Sequence, residues 1–428
     1  MTSKTLLRGG CVLTLGARTS NLRQGDVLID DGVIANVGPS LRARDAEQVD
    51  ATDTIVMPGF VDTHRHTWTS LFRNLGERGP NSAAPDHGRF GPEDAYAATL
   101  NGLLGAAEAG ITTVVDWSDL PSDELVRAAL EAHTDSGLRT VFVRAPTSGD
   151  AGGPQTEGAG RSTSIAFGST FRGAPDLDAV ATEWARARGS GLRIHVHPDA
   201  GGSTRGTIAR LGERGLLGED VTLLHRTRLD DAEAEAIASS GTGVTLSPAS
   251  DMAGGLGPPP IQRLIDQGVR PGLGIDDERF APGDMFAQMR ATISVQHATV
   301  FDLKLAGKAG LPKLMSTRDV IRHATVDGAR VAGLRGVTGS IEPGMQADVI
   351  VLRADRPNIY PVNDPIGAVV WGMDTSNLDW VFVGGRVVMR GGVLEADVRR
   401  VRGLAEDARR RIADPSGMVA SAPSGGAA

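Results

Sequence analysis

The chain has 428 residues, 40% of them apolar, with a formal net charge of -8. That apolar mass supports a large core and excludes a wholly disordered chain, while the acidic balance speaks against a nucleic-acid surface. Neither a membrane helix of ~20 apolar residues nor a signal-peptide apolar region is present, and the single cysteine, Cys11, excludes an intrachain disulfide. The expectation is a soluble, cytoplasmic α/β protein, with no membrane or nucleic-acid partner.

Residues 1–57 read as short strands (5–7, 11–15, 26–29, 33–37 and 54–56) separated by glycine and Asp-Asp-Gly turns, a pattern of β-sandwiches and meanders. Cys11 falls in one of these strands. From residue 58 to about 337, apolar strands alternate with amphipathic helices. The strands are expected at 60–62, 112–116, 140–144, 164–167, 193–197, 221–225, 243–246 and 270–275. A helix over 92–109 has Pro92 at its start and Gly110 just past its end. Eight such alternations match the size of a (β/α)8 TIM barrel, roughly 250 residues. Strand character returns at 347–352 and 380–389. The fold class is therefore α/β: a barrel over 58–337, with a small β-sandwich domain assembled from both chain ends, 1–57 and 338–398. Beyond it, 397–412 reads as a solvated, arginine-rich helix, and 416–428 as a frayed tail.

The chemistry is carried by where histidine and aspartate fall. In Phe60-Val61-Asp62-Thr63-His64-Arg65-His66, two histidines end an apolar strand at spacing two, so both side chains face the barrel mouth. His195 and His197 end the fifth strand, His225 the sixth, and Asp276 the eighth. Barrel enzymes build their active sites at this C-terminal face. Imidazoles with one carboxylate suit a single divalent ion, Zn2+, with Fe2+ or Mn2+ as alternatives. Such an ion lowers the pKa of a bound water towards ~7. Asp276 would hold the metal and take the water's proton, and His225 would polarise the attacked group. Either His197 or His195 serves as the fifth-strand ligand, the other being a core residue.

Trp68 and Trp117, just beyond the first two strands, are read as stacking surfaces for a flat substrate or as core. Asp116 and Asp119 flank Trp117, as substrate contacts or structural hydrogen-bond acceptors. Asp277 is a capping residue or a substrate contact. The glycine-rich stretch 149–160 reads as a lid or as a mobile loop. Gly272-Leu273-Gly274 lacks a dinucleotide fingerprint and reads as strand packing. His87, His133, His297 and His323 look like surface or helix residues without a role.

Pro58-Gly59-Phe60-Val61-Asp62-Thr63-His64-Arg65-His66 resembles the first-strand motif of the amidohydrolase superfamily. Further resemblance lies in Gly110-Ile111-Thr112-Thr113-Val114-Val115-Asp116, Gly274-Ile275-Asp276, and Asp284-Met285-Phe286-Ala287-Gln288-Met289-Arg290. It continues in Ala324–Arg330 and in Gly339-Ser340-Ile341-Glu342-Pro343-Gly344. The chain is similar to the cytosine deaminase and chlorohydrolase-like branch. The resemblance implies His64, His66, His197 and Asp276 as ligands, His225 as a polarising residue, and a homo-oligomer. Ser164-Ile165-Ala166-Phe167 lacks the lysine that bridges two metals in binuclear members, which implies a mononuclear site. Deaminases of this branch carry a glutamate three residues after the fifth-strand histidine, where this chain has Ala200, with Asp199 one place early.

The activity implied is a hydrolase acting on a C–N bond (amide, amidine or ring deamination) of a small aromatic or heterocyclic molecule. Catalysis would rest on Asp276 and His225, and substrate contact on Trp68, Trp117, Asp119 and Asp277. The alternatives are a metal-assisted dehydrative cyclisation of a small molecule, or a non-catalytic binding barrel.

Overall fold

The computed structural model describes residues 4–73, 89–145, 160, 162–171, 173–198, 206–224 and 229–412. The N-terminal strands Lys4–Val12, Leu22–Asp30, Val33–Gly38, Glu47–Asp50 and Thr54–Pro58 pair with Val349–Arg353, Leu378–Val383, Arg386–Arg390 and Val393–Leu394 in one nine-stranded mixed sheet. The two chain ends join where Thr54–Pro58 runs antiparallel to Val349–Arg353. The expected sandwich is thus one continuous sheet folded over its own core, which includes Leu7, Val27, Ile29, Ile34, Val349 and Phe382. Cys11 lies in its first strand, half-buried.

The chain crosses into the second sheet at Gly59. A Cβ there would stand 2.2 Å from the Thr112 side chain, so only glycine lets the first two barrel strands approach. Eight strands follow, each parallel to the next: Phe60–Arg65, Ile111–Ser118, Arg139–Arg144, Thr163–Phe171, Ile194–Pro198, Val221–Leu223, Gly243–Leu246 and Gly272–Leu273. Several are buried along their whole length, as strands covered on both faces must be. Val61, Val115, Trp117, Val141, Val143, Ala166 and Leu224, drawn from opposite sides of the ring, form an apolar cluster inside it. This is the TIM-barrel class expected from the strand count.

The helices obey local rules. Pro92–Glu108 begins with proline, has Gly91 at its cap and ends before Gly110 in the left-handed region. Asp123–Ser136 is capped by Ser122, whose hydroxyl accepts from the Leu125 amide, and stops at left-handed Gly137. The C-terminal helix Val398–Ile412 buries Val401, Ala408 and Ile412, and Arg411 pairs with Asp94 on the first barrel helix. It is a docked element whose outer face is solvated. The tail 416–428 and the stretch 149–160, apart from Gly160, lie outside the described residues.

Barrel closure decides where the chemistry sits. The eighth strand is short, and the seam is made just beyond it: Asp276 N–H donates to the His64 carbonyl and His66 N–H to the Asp276 carbonyl, both at 2.8 Å. Gly272 and Gly274 permit this approach. Added Cβ atoms would meet Thr63 Cγ2 at 2.6 Å and the His64 carbonyl oxygen at 2.8 Å respectively. The packing role expected of this glycine pair is what the seam requires.

Candidate metal centre

His64 lies at the end of the first strand and His66 just beyond it, and their rings lie edge to face with centroids 5.0 Å apart. His197, from the end of the fifth strand, brings its ring to 5.5 Å from His64 and 5.8 Å from His66. One ring nitrogen from each of the three lies within 4.8 Å of the others. Asp276 completes the group, its Oδ1 being 3.3 Å from His64 Nε2 and 3.7 Å from His66 Nε2. Asp276 adopts φ +66°, a left-handed conformation that is costly for a residue with a Cβ. The two seam hydrogen bonds hold it there, directly beside the histidines.

This donor set fits a divalent cation. A triangle of 4.8 Å side has its centre about 2.8 Å from each corner, against roughly 2.0–2.1 Å for a Zn–N bond, so a sub-ångström closure suffices. Three imidazoles and a carboxylate are borderline donors suited to Zn2+.

His195 points from the same strand but stays out of the group. It is fully buried, and neither ring nitrogen has a hydrogen-bond partner. Burial, with help from Arg193 and His64, lowers its pKa to about 3, so it is a neutral imidazole. His225, Asp199 and Ala200 lie outside the described residues.

Trp117 lines the group from behind. Trp117 is buried, its ring 5.1 Å from His197 and 6.2 Å from His64. Trp68 is also buried, edge-on to Phe72 and Phe90, and its indole N–H donates to Asp119 Oδ1 at 3.0 Å. Asp277 is turned to Arg279, 2.6 Å from its guanidinium.

Asp116 resolves to a structural acceptor. Its Oδ1 receives the Thr67 amide at 3.0 Å, and its Oδ2 receives the Thr67 hydroxyl at 2.8 Å and lies 2.7 Å from His133 Nε2. Burial pushes this carboxyl up, but His133 and Thr67 together outweigh burial and hold it below the usual range. The turn that follows His66 is thereby pinned. His133 was expected at the surface or on a helix. It is on a helix, yet fully buried as the partner of Asp116. His323 is likewise a buried helix residue, 3.3 Å from Asp327, while His297 bonds the Met315 carbonyl and His87 is outside the described residues.

Sequence reasoning also passed over Arg65. It sits between the two mouth histidines, but its side chain is fully buried. Its Nε donates to Asp62 Oδ2 at 2.7 Å, while Asp62 Oδ1 accepts the Ile275 amide at 3.0 Å across the seam. Burial pushes the Asp62 carboxyl up to about 6, with Arg65 opposing. An arginine three residues after Asp62, in a strand expected to be covered on both faces, was the available signal.

A family model described as "Amidohydrolase family" matches residues 89–389. The chain belongs to the amidohydrolase family. That match begins beyond His66, so the histidine pair enters through geometry, and the hydrolase class expected from the sequence follows from membership. Among curated proteins, this amidohydrolase is similar to a 5-methylthioadenosine/S-adenosylhomocysteine deaminase of Pelotomaculum thermopropionicum, with 28% identity over 95% of this chain and 98% of the relative. It is also similar to a 5'-deoxyadenosine deaminase of Methanothermobacter thermautotrophicus, at the same identity and coverage. Among solved structures, an adenosine deaminase of Xanthomonas campestris with bound zinc superposes with a TM-score of 0.79 at 20% identity, covering 96% of this chain and 98% of that one. Atrazine chlorohydrolase of Arthrobacter aurescens complexed with zinc gives 0.79 at 23%, covering 95% and 100%. Both show the barrel fold. Among the described residues, no helix is long and apolar enough to cross a membrane.

Proposed function

We propose that this amidohydrolase uses one divalent ion, Zn2+, to hydrolyse a C–N bond of a small heterocyclic molecule, releasing ammonia. The observation that carries the reading is the convergence of His64, His66, His197 and Asp276 at the barrel mouth. Zn2+ held there would supply Lewis acidity, lowering a water's pKa towards ~7. The three imidazoles and Asp276 would hold the ion. Asp276 would also take the proton from the attacking water, because its carboxylate faces the ligand nitrogens. His225 would stabilise charge developing on the attacked carbon. Trp117 forms an apolar wall behind the ligands, Trp68 is fixed by Asp119, and Asp119 and Asp277 are the polar contacts proposed for the substrate.

Relatives named for deamination of 5-methylthioadenosine, S-adenosylhomocysteine and 5'-deoxyadenosine support an exocyclic amine on a purine-like ring as the group removed. The zinc in the two barrel neighbours supports the choice of metal. We place the enzyme in the cytoplasm, and as a homo-oligomer for which Phe301 and Leu305, exposed on one helix, offer apolar surface.

One observation favours a second reading. His197-Pro198-Asp199-Ala200 lacks the glutamate that protonates a ring nitrogen in deaminases of this kind. A Lewis-acid site without that acid fits a dehydrative ring closure. Incubating the zinc-loaded protein with 6-aminopurine nucleosides and aminated pyrimidines or triazines, and measuring ammonia, separates the two. Ammonia release that Asp276→Asn abolishes supports the hydrolase. Loss of water from a candidate without ammonia supports the cyclase.

A further inference from the structure

The buried arginine between the metal-site histidines belongs to a longer chain of charges. Arg65 reaches from the first strand to the loop after the eighth, donating to Glu278 Oε1 at 3.1 Å and to the Gly283 carbonyl at 2.9 Å. Glu278 is itself buried, and its other oxygen accepts from Arg73 at 2.6 and 2.9 Å. Asp62 holds the opposite end of Arg65 and accepts the backbone amides of His64 and Ile275. Two carboxylates and two guanidiniums thus alternate from the seam outward, and Asp276 lies on the short stretch of chain they span. The left-handed backbone of Asp276 costs free energy unless its surroundings enforce it, and the two seam hydrogen bonds hold it from the side of the histidines.

We propose that Arg65 and Glu278 are positioning residues that present the Asp276 carboxylate to the metal. The inference rests on the metal reading above. Arg65 fixes the first strand to the 276–283 loop from the side opposite the histidines. The loop therefore cannot relax away from His64 when Asp276 is held at φ +66°. The bonds of the network do not touch the ion: Glu278, two residues beyond Asp276, ties Arg65 to the chain that carries this carboxylate, and an effect routed instead through His64, whose amide Asp62 accepts, would persist when Asp276 is removed. Residues that orient a ligand in this way typically change metal affinity by about 10–100-fold.

The test is a double-mutant cycle read by Zn2+ affinity in competition with a chromophoric chelator, together with melting of the metal-free proteins. Glu278→Gln keeps the shape but removes the charge that anchors Arg65. Expected is a loss of affinity of about tenfold or more in the wild-type background, shrinking to less than about threefold in an Asp276→Ala background. A purely structural role would lower the melting temperature and cost the same affinity in both backgrounds. That result, or unchanged affinity in the wild-type background, overturns the proposal. Should Glu278→Gln fail to fold, Arg73→Gln removes the outer, half-exposed partner instead. It should cause a smaller loss that also disappears with Asp276→Ala, and equal affinities would overturn the proposal. A wild-type chain that binds no divalent ion would overturn the metal reading and this inference with it, an outcome distinct from both others.

Discussion

Replacing Gly274 with alanine places a methyl group 2.8 Å from the His64 carbonyl oxygen, 2.9 Å from its amide nitrogen and 3.0 Å from its Cβ. None of these atoms is the end of a flexible side chain, so the clash is relieved only by moving strand backbone. Overpacking of this kind costs about 1–3 kcal/mol. Gly274 has no left-handed φ, so alanine also restricts the unfolded chain and returns about 0.4–1 kcal/mol. The expected net destabilisation is about 1–2 kcal/mol, read as a lower midpoint of reversible urea unfolding. The functional consequence should be larger than the thermodynamic one. The displaced atoms belong to a proposed ligand, and Asp276 pairs with the same His64 carbonyl. Zn2+ affinity should therefore fall by tenfold or more. Gly403, on the C-terminal helix with nothing within 4 Å of an added Cβ, is the control. There the same change should stabilise by about 1 kcal/mol through helix propensity and leave metal binding alone. Equal stability and equal affinity in Gly274→Ala would refute the packing of the seam described here.

Other consequences follow from the same geometry. His195→Leu replaces a buried, unpartnered imidazole with an apolar group of similar size. It should retain metal and be as stable as wild type or more so, whereas metal loss would make His195 a ligand. Asp116→Asn tests the buried pair with His133. Because the folded pKa of Asp116 lies below its unfolded value near 3.9, its stabilisation is fully present above about pH 4. It is lost as pH falls through the folded pKa, at up to about 1.4 kcal/mol per pH unit. Wild type should then lose stability more steeply than the variant between pH 4 and 3 in urea titrations, and parallel slopes would count against the pair. Ala200→Glu supplies the missing acid by sequence position. It should raise ammonia release from aminated heterocycles if that acid alone limits deamination, and no gain would point to the rest of the pocket.

The sequence disclosed the parts whose signal is local. Period-two spacing put His64 and His66 on one side of the first strand's end, and strand–helix alternation gave the barrel. Strand ends singled out His197 and Asp276, which the structure brings beside that pair. What stayed hidden depends on distant partners. Arg65 reads as a solvent-seeking residue until Glu278, 213 positions away, supplies its counter-charge. His133 reads as an ordinary helix residue until Asp116, from a neighbouring strand, meets it. The choice between His195 and His197 could not be made from strand parity, which places both on one face. It turns on depth along the strand, and only the upper ring reaches the mouth histidines. The small domain was legible as strands from both ends, but their joining into one continuous sheet required the pairing of Thr54–Pro58 with Val349–Arg353.

The central claim is that four side chains from three strand ends share a single cation. Elemental analysis of protein expressed with added zinc and desalted addresses it directly. About one equivalent of Zn2+ is expected in wild type, falling below about 0.2 in His66→Ala and in His197→Ala while both remain folded. Undiminished zinc in either variant, or a metal-free wild type, would contradict it.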